Sequence, residues 1–288
     1  MKYRNPEIPE GINTTKTNPL KEFAFLTSVV IAGIIIITAI LALLIDSAAE
    51  IIPFEFEVSV SQDIAKNLNK ERNKVDDYLQ GLADQIIPHM NLPEDMKIQV
   101  HYVDKDVVNA MATLGGHVVV YRGLLEKLPN ENALVMLLGH EIAHIKLRHP
   151  VKALGKGVII SLMMSAILGS SSDSVSKLIS DTSMLTMLSF SRDQEQTSDN
   201  EGIKALNSYY GHVQSATDLF QIFKSEHEKS GVNVPQFLSS HPDIESRIHH
   251  LNNISRQQNW IRQGKINSIP EHIFKTKKTA SETTSRFH

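Results

Sequence analysis

The chain has 288 residues, a formal net charge of −3 and no cysteine. That length accommodates one domain of ordinary size with appendages. The missing cysteines exclude disulfides, thiolate metal ligands and a cysteine nucleophile, and the scattered lysines and arginines build no basic patch for nucleic acid.

Residues 1–22 read as a polar cytoplasmic leader interrupted by Pro6, Pro9 and Pro19. Residues 23–45, FAFLTSVVIAGIIIITAILALLI, carry no charge. As a helix they reach about 34 Å, enough to cross a hydrocarbon core of about 30 Å. No polar face suggests a soluble helix. The run is also longer than a signal-peptide core and follows a long polar leader, so the segment reads as an uncleaved transmembrane signal anchor. Lys2, Arg4, Lys16 and Lys21 precede it; Asp46, Glu50, Glu55 and Glu57 follow, with no basic residue before Lys66. That asymmetry puts the N-terminus in the cytoplasm. In a bacterium, the chain is then a single-pass inner-membrane protein with its main domain periplasmic or extracellular.

A linker is expected over 46–60, around Pro53. Ile64, Leu68, Val75, Leu79, Leu82 and Ile86 recur at helical spacing, predicting one amphipathic helix over 61–87. Residues 97–103 alternate as a strand, and NAMATLGGHVVVYRGLL reads as strand, Gly-Gly turn, strand and short helix. Asn130 is placed to cap the next helix. The apolar stretch 157–169 is too short to span a bilayer. It is expected as one arm of a helical hairpin closed by SSSDS at 170–174, packed in the core or resting on the membrane. Helices follow at 192–208, 212–229 and 243–256, and 259–288 reads as a polar disordered tail. The expectation is an α+β, mainly helical domain over 61–258.

LLGHEIAHIKLRHP, residues 137–150, sets ionisable groups into an apolar run. On a helix, His140 and His144 share a face and can reach one ion. Glu141, about 100° away, can address a ligand on that ion's open side. This is the pattern of a catalytic zinc site in which the glutamate takes a proton from metal-bound water. Such a site needs a third protein ligand. In SRDQEQTSDNEGI, residues 191–203, Glu195 could ligate, and Asp199 could accept the free N–H of a ligating histidine. A solvated acidic face made by Asp193, Glu195, Asp199 and Glu201 explains the same residues equally well. His149, five residues past His144, is expected to turn away from the metal and be structural, and His117 to be exposed at a strand start. The strand His117–Tyr121 is expected as an edge that holds an extended substrate by its backbone.

Taken together, HEIAHIKLRHP, NAMATLGGHVVVYRGLL, SRDQEQTSDNEG and SSHPDIESRI make residues 60–255 resemble metallopeptidase family 48, which contains the CAAX prenyl proteases and the HtpX-like bacterial membrane proteases. The resemblance implies a zincin-like (gluzincin) fold and one zinc ion held by His140, His144 and Glu195. It implies Glu141 as catalytic base and Asp199 as the partner of a ligating histidine. It also implies that His241, Pro242 and Arg247 lie near the metal. Arg247 then either stabilises a developing oxyanion or is structurally paired with Asp199 or a carbonyl; His241 either binds the reacting carbonyl or, in a latent state, fills the fourth zinc position. Ser198 stands where the family usually has Ala, and Leu114 where it usually has Pro. One convincing span points to the single-span or periplasmic members. The expected function is zinc endopeptidase action on misfolded or damaged envelope proteins. The alternative is a non-proteolytic chaperone or assembly factor that retains the zinc.

Overall fold

The computed structural model describes residues 18–68, 72–168, 190–230, 241 and 243–274. Helix α1 (Pro19–Ile51) runs unbroken from the apolar segment outward. It is the one helix among the described residues long and apolar enough to cross a membrane. The expected linker is not a free tether. Residues 46–51 continue α1, and Phe54–Val60 form a second helix, α2, with Phe54 buried in the main core.

The helix expected over 61–87 is two: α3 (Gln62–Leu68) and α4 (Lys74–Ile86). The break follows from capping chemistry. Asn73 Oδ1 accepts from the Val75 and Asp76 amides while Asp76 Oδ2 accepts from the Asn73 amide, so a new helix starts there. Asp76 Oδ1 also accepts from the Tyr102 amide at 2.7 Å, and Gln80 bonds to Ile98 O and Val100 N, docking α4 on the first strand.

Strands β1 (Gln99–Val103), β2 (Ala110–Ala112) and β3 (His117–Tyr121) form a mixed sheet in the order β1-β3-β2, with β1 parallel and β2 antiparallel to β3. The Gly-Gly turn forms as expected, with φ of +73° and +85° at Gly115 and Gly116, a region that favours glycine. The strand expected to be an edge, β3, is central; β1 and β2 are the edges. The ladder bonds Thr113 N to His117 O and Tyr121 N to Asn109 O, so alternation directs the backbone groups of Ala110 and Ala112 away from β3.

After the short helix α5 (Arg122–Leu125) comes α6 (Glu131–Lys146), capped by Asn130 Oδ1 on the Ala133 amide. Every residue from Asn132 to Ile145 is buried, so α6 is the axis of the core. Helix α7 (His149–Leu168) begins earlier than the apolar stretch suggested, and the expected turn at 170–174 lies outside the described residues. Around the core stand α8 (Arg192–Tyr210), α9 (Asp218–Ser230) and α10 (Ile244–Gln257). Residues 259–274, expected as the start of a tail, pack on the domain. Ile269 and Ile273 are buried in its core, and Asn132 bonds to Lys265 O and Asn267 N. Their spacing has no helical or strand period, which hid them.

His117 is buried, not exposed: its Nδ1 lies 2.9 Å from Nε2 of His101, also buried. Burial, with the neighbouring His101, lowers the His117 pKa to about 4, and burial lowers that of His101. Unfolded histidines protonate below about 6.5; folded His117 does not until about 4. Stability contributed by this group is therefore full above the unfolded value and lost as pH falls toward 4. The thermal midpoint is expected to drop between pH 6.5 and 4, and His117→Gln is expected to lessen that drop, as read by calorimetry across the range.

Candidate metal centre

The centre is assembled where α6 crosses α8. A Cβ on Gly139 would stand 3.1 Å from the Gly202 Cα, and one on Gly202 would stand 3.1 Å from the His140 backbone nitrogen. Two facing glycines thus let the helix backbones nearly touch, which sets Glu195 and Asp199 against the histidines of α6. The Ser191–Gln194 capping box starts α8 just before Glu195.

His140 and His144 present their Nε2 atoms 3.0 Å apart. Glu195 oxygens lie 3.7 Å from His140 Nε2 and 3.5 Å from His144 Nε2. His241 Nδ1 lies 3.4 Å from His140 Nε2 and 2.9 Å from Glu195 Oε1. One donor atom from each of these four residues falls within 4.8 Å of the others, and all four residues are buried. Ligands about 2.0–2.1 Å from a tetrahedral zinc stand about 3.3–3.4 Å from one another, so the observed spacing fits that ion. Charge points the same way. Three buried carboxylates, Glu141, Glu195 and Asp199, share one buried guanidinium, Arg247, leaving two negative charges for a divalent cation to offset.

Around the donors lies a second layer of contacts. Asp199 Oδ1 is 3.0 Å from His140 Nδ1, fixing that ring so that Nε2 faces the cluster. Arg247 forks onto Asp199 through Nε and Nη2 at 2.8 and 2.7 Å, pairs through Nη1 with Glu195 Oε2 at 2.5 Å, and lies over the Phe220 ring. All three guanidinium nitrogens face carboxylates. Arg247 thus makes the pairing with Asp199 that was one of its two expected roles.

His149 was expected to turn away from the metal and be structural, and it is not among the clustered donors. Its Nδ1 lies 3.0 Å from His144 Nδ1, on the side opposite the cluster. That contact was not foreseen, because α6 ends at Lys146 and Arg148 takes a left-handed φ of +61°, turning the chain back. Ser198, one of the departures from the family pattern, sits with its Oγ 3.3 Å from His149 Nδ1. Phe190 was not foreseen. Its ring lies on His144 with centroids 4.0 Å apart and adjoins His241. Nothing in its sequence neighbourhood marks it.

Burial would raise Asp199, but Arg247, with help from His140, holds it down at about 2. Against the same burial, His241 and Arg247 keep Glu195 below the ordinary carboxylate value. Burial, then its histidine neighbours, depress His144 well below the usual imidazole range, leaving it neutral as ligation requires. Glu141 differs. Burial pushes its carboxyl up to about 7, opposed by His140 and reinforced by Glu195. Neither of its oxygens has a partner at hydrogen-bond geometry among the described residues, although the Ala112 amide of the edge strand pulls its pKa down weakly.

The sequence profile of peptidase family M48 matches residues 73–255. The chain belongs to that family. Among curated relatives, the beta-barrel assembly-enhancing protease of Escherichia coli K12 is 27% identical over 195 residues, covering 62% of this chain and 39% of that protein. The mitochondrial metalloendopeptidase OMA1 of Schizosaccharomyces pombe is 23% identical over 225 residues, covering 75% of this chain and 64% of its own length. Human OMA1 is 27% identical over 178 residues, 57% of this chain and 33% of that protein. The chain thus spans well under half of the E. coli relative. Family membership and the donor set together make zinc the metal of this centre, and the family is one of zinc metalloendopeptidases.

Gly202→Ala is expected to force α6 and α8 apart, costing about 1–3 kcal/mol of stability and weakening zinc binding. Asp199→Asn is expected to weaken zinc binding about 10–100-fold with little change in fold. Zinc titration against a competing chelator, alongside circular dichroism, checks both.

Proposed function

We propose that this protein is a membrane-anchored zinc endopeptidase in which His140, His144 and Glu195 hold the metal and Glu141 is the catalytic base. The observation that carries the reading is the convergence of two imidazoles of α6 and a carboxylate of α8 at tetrahedral spacing, with the buried Glu141 beside them, 3.8 Å from His241. Zinc bound there supplies a Lewis acid for the peptide carbonyl and lowers the pKa of the attacking water. Glu141 would accept that water's proton and deliver it to the leaving amine. Asp199 orients His140, His149 orients His144, and Arg247 clamps Glu195 and Asp199 in place. The outward-facing backbone of β2, beside Glu141, offers hydrogen bonds to an extended substrate, which suits unfolded segments.

The lysine and arginine bias around the apolar segment supports a cytoplasmic N-terminus and a periplasmic or extracellular domain. We take misfolded or damaged envelope proteins as the substrates. The E. coli relative's name ties that protein to beta-barrel assembly, which is in keeping with this choice.

A second reading concerns regulation. His241 Nδ1 stands close to His140 Nε2 and Glu195 Oε1, and Phe190 packs on His144, which supports a resting form of the cluster. In this latent form His241 takes the fourth zinc position, and activity requires its departure.

With purified zinc-loaded protein and an unfolded substrate, Glu141→Gln is expected to lower turnover about 10²–10⁴-fold while retaining one zinc per chain. Undiminished cleavage by this variant would sink the assignment. His241→Ala is expected to raise turnover if latency operates; a rate equal to or below wild type argues against it.

A further inference from the structure

We infer that the catalytic centre is held rigidly at the membrane surface, so that its substrates are segments of membrane proteins lying immediately next to the bilayer. The inference rests on the peptidase reading and on α1 spanning the membrane. It adds where the reaction takes place and which peptide segments can reach it.

Three contacts join anchor and domain without slack. First, the outer end of α1 is part of the domain's packing: Ala49 is buried against Leu114 and Val151. Leu114 is the residue found where the family pattern usually has Pro, and it meets the anchor. Second, the segment just after α1 is locked. Arg148, two residues beyond α6, donates through Nη2 to Ile52 O at 2.8 Å and pairs through Nε with the buried Glu57 of α2 at 2.6 Å. Glu57 Oε2 in turn accepts from the Gly115 amide at 3.4 Å. Burial raises the Glu57 pKa against the pull of Arg148, and breaking such a buried pair by removing one partner is costly. Third, α7 lies along α1. A Cβ on Gly155 would stand 2.9 Å from the Ile45 side chain, while Val151 meets Ala49. Each pair is displaced by four residues in opposite senses, so the two helices are antiparallel. Lys152, at the same level, faces Glu50 at 3.9 Å.

These contacts set a height. Ile45 is the last residue of the uncharged run, so Gly155 marks the edge of the hydrocarbon. His149 lies six residues before Gly155 on α7, about 9 Å above that edge at 1.5 Å per residue. Its ring touches His144 at 3.0 Å, and the donor cluster lies just beyond that ring. The metal therefore sits on the order of 10–15 Å from the hydrocarbon, little above a headgroup layer about 5–8 Å thick. An extended chain leaving the bilayer covers that distance in roughly three to five residues. A peptide bond many residues away from the membrane must bend back to be cut. One close to the membrane is presented directly.

The test uses full-length zinc-loaded protein in phosphatidylcholine–phosphatidylglycerol vesicles, together with single-span reporter proteins in the same vesicles. One reporter carries an unstructured cleavable segment starting directly at its span. In another the same segment stands off on a helical spacer of about 35 residues, about 50 Å long. A third presents the segment on a soluble carrier. The membrane-adjacent segment is expected to be cut at least tenfold faster than the distant one, with both cleavages lost in Glu141→Gln. Equal rates for the near and distant segments, with Glu141-dependent cutting of the soluble carrier, would overturn this inference and leave the peptidase reading standing. Absence of cleavage of all three by both the wild type and His241→Ala would overturn the peptidase reading and this inference with it.

Discussion

The close crossing of α6 and α8 at Gly139 and Gly202 is the constraint on which the centre depends. Imidazoles and a carboxylate reach only a few ångströms from their backbones. A metal shared between two helices therefore requires those backbones to approach more closely than ordinary side-chain packing allows. With glycine on both sides, the gap closes at the level of His140. Glu195, two turns earlier on α8, then meets His140 and His144, and Asp199 falls behind the His140 ring.

Such a crossing concentrates charge in a dry interior, and the surrounding residues manage it. Arg247 is shared by Asp199 and Glu195, and the depressed carboxyl pKa values follow from that sharing. Burial holds His144 neutral, and His140 and His144 divide their nitrogens: one faces the cluster, the other faces Asp199 or His149. Glu141 has no partner at hydrogen-bond geometry among the described residues, and burial raises it instead. One buried environment thus yields carboxylates of two kinds, those kept ionised by a guanidinium and one poised to exchange a proton. The difference lies in which neighbours each residue meets.

The same economy joins the centre to the anchor. Helix α6 ends at Lys146, and within three residues the chain has placed Arg148 on the post-anchor segment and His149 against a zinc-side histidine. The left-handed turn at Arg148 makes both contacts available at once. The apolar helix α1, the turn and α6 form one continuous packing unit rather than a domain on a tether.

Much of this was legible in the sequence because it is written in local periods and caps. The apolar run of α1, the Asn130 cap, the Gly-Gly turn and the four-residue spacing of His140 and His144 are each settled within a few residues, where backbone geometry leaves little choice. The ligand pair and its glutamate needed nothing more. Glu195 was only one of two open readings until the motif order was weighed, because no local rule states which face of α8 meets α6. Tertiary packing decided that face, through two glycines whose spacing means nothing until they oppose each other. It also decided the partners of Arg247, the central position of β3, the burial of His117 against His101, the contact of His149 with the back of the His144 ring after a left-handed turn, and the docking of residues 259–274. In each case the deciding contact lies between residues distant in the chain, or beyond a break in helical phase, and short-range chemistry carries no record of either.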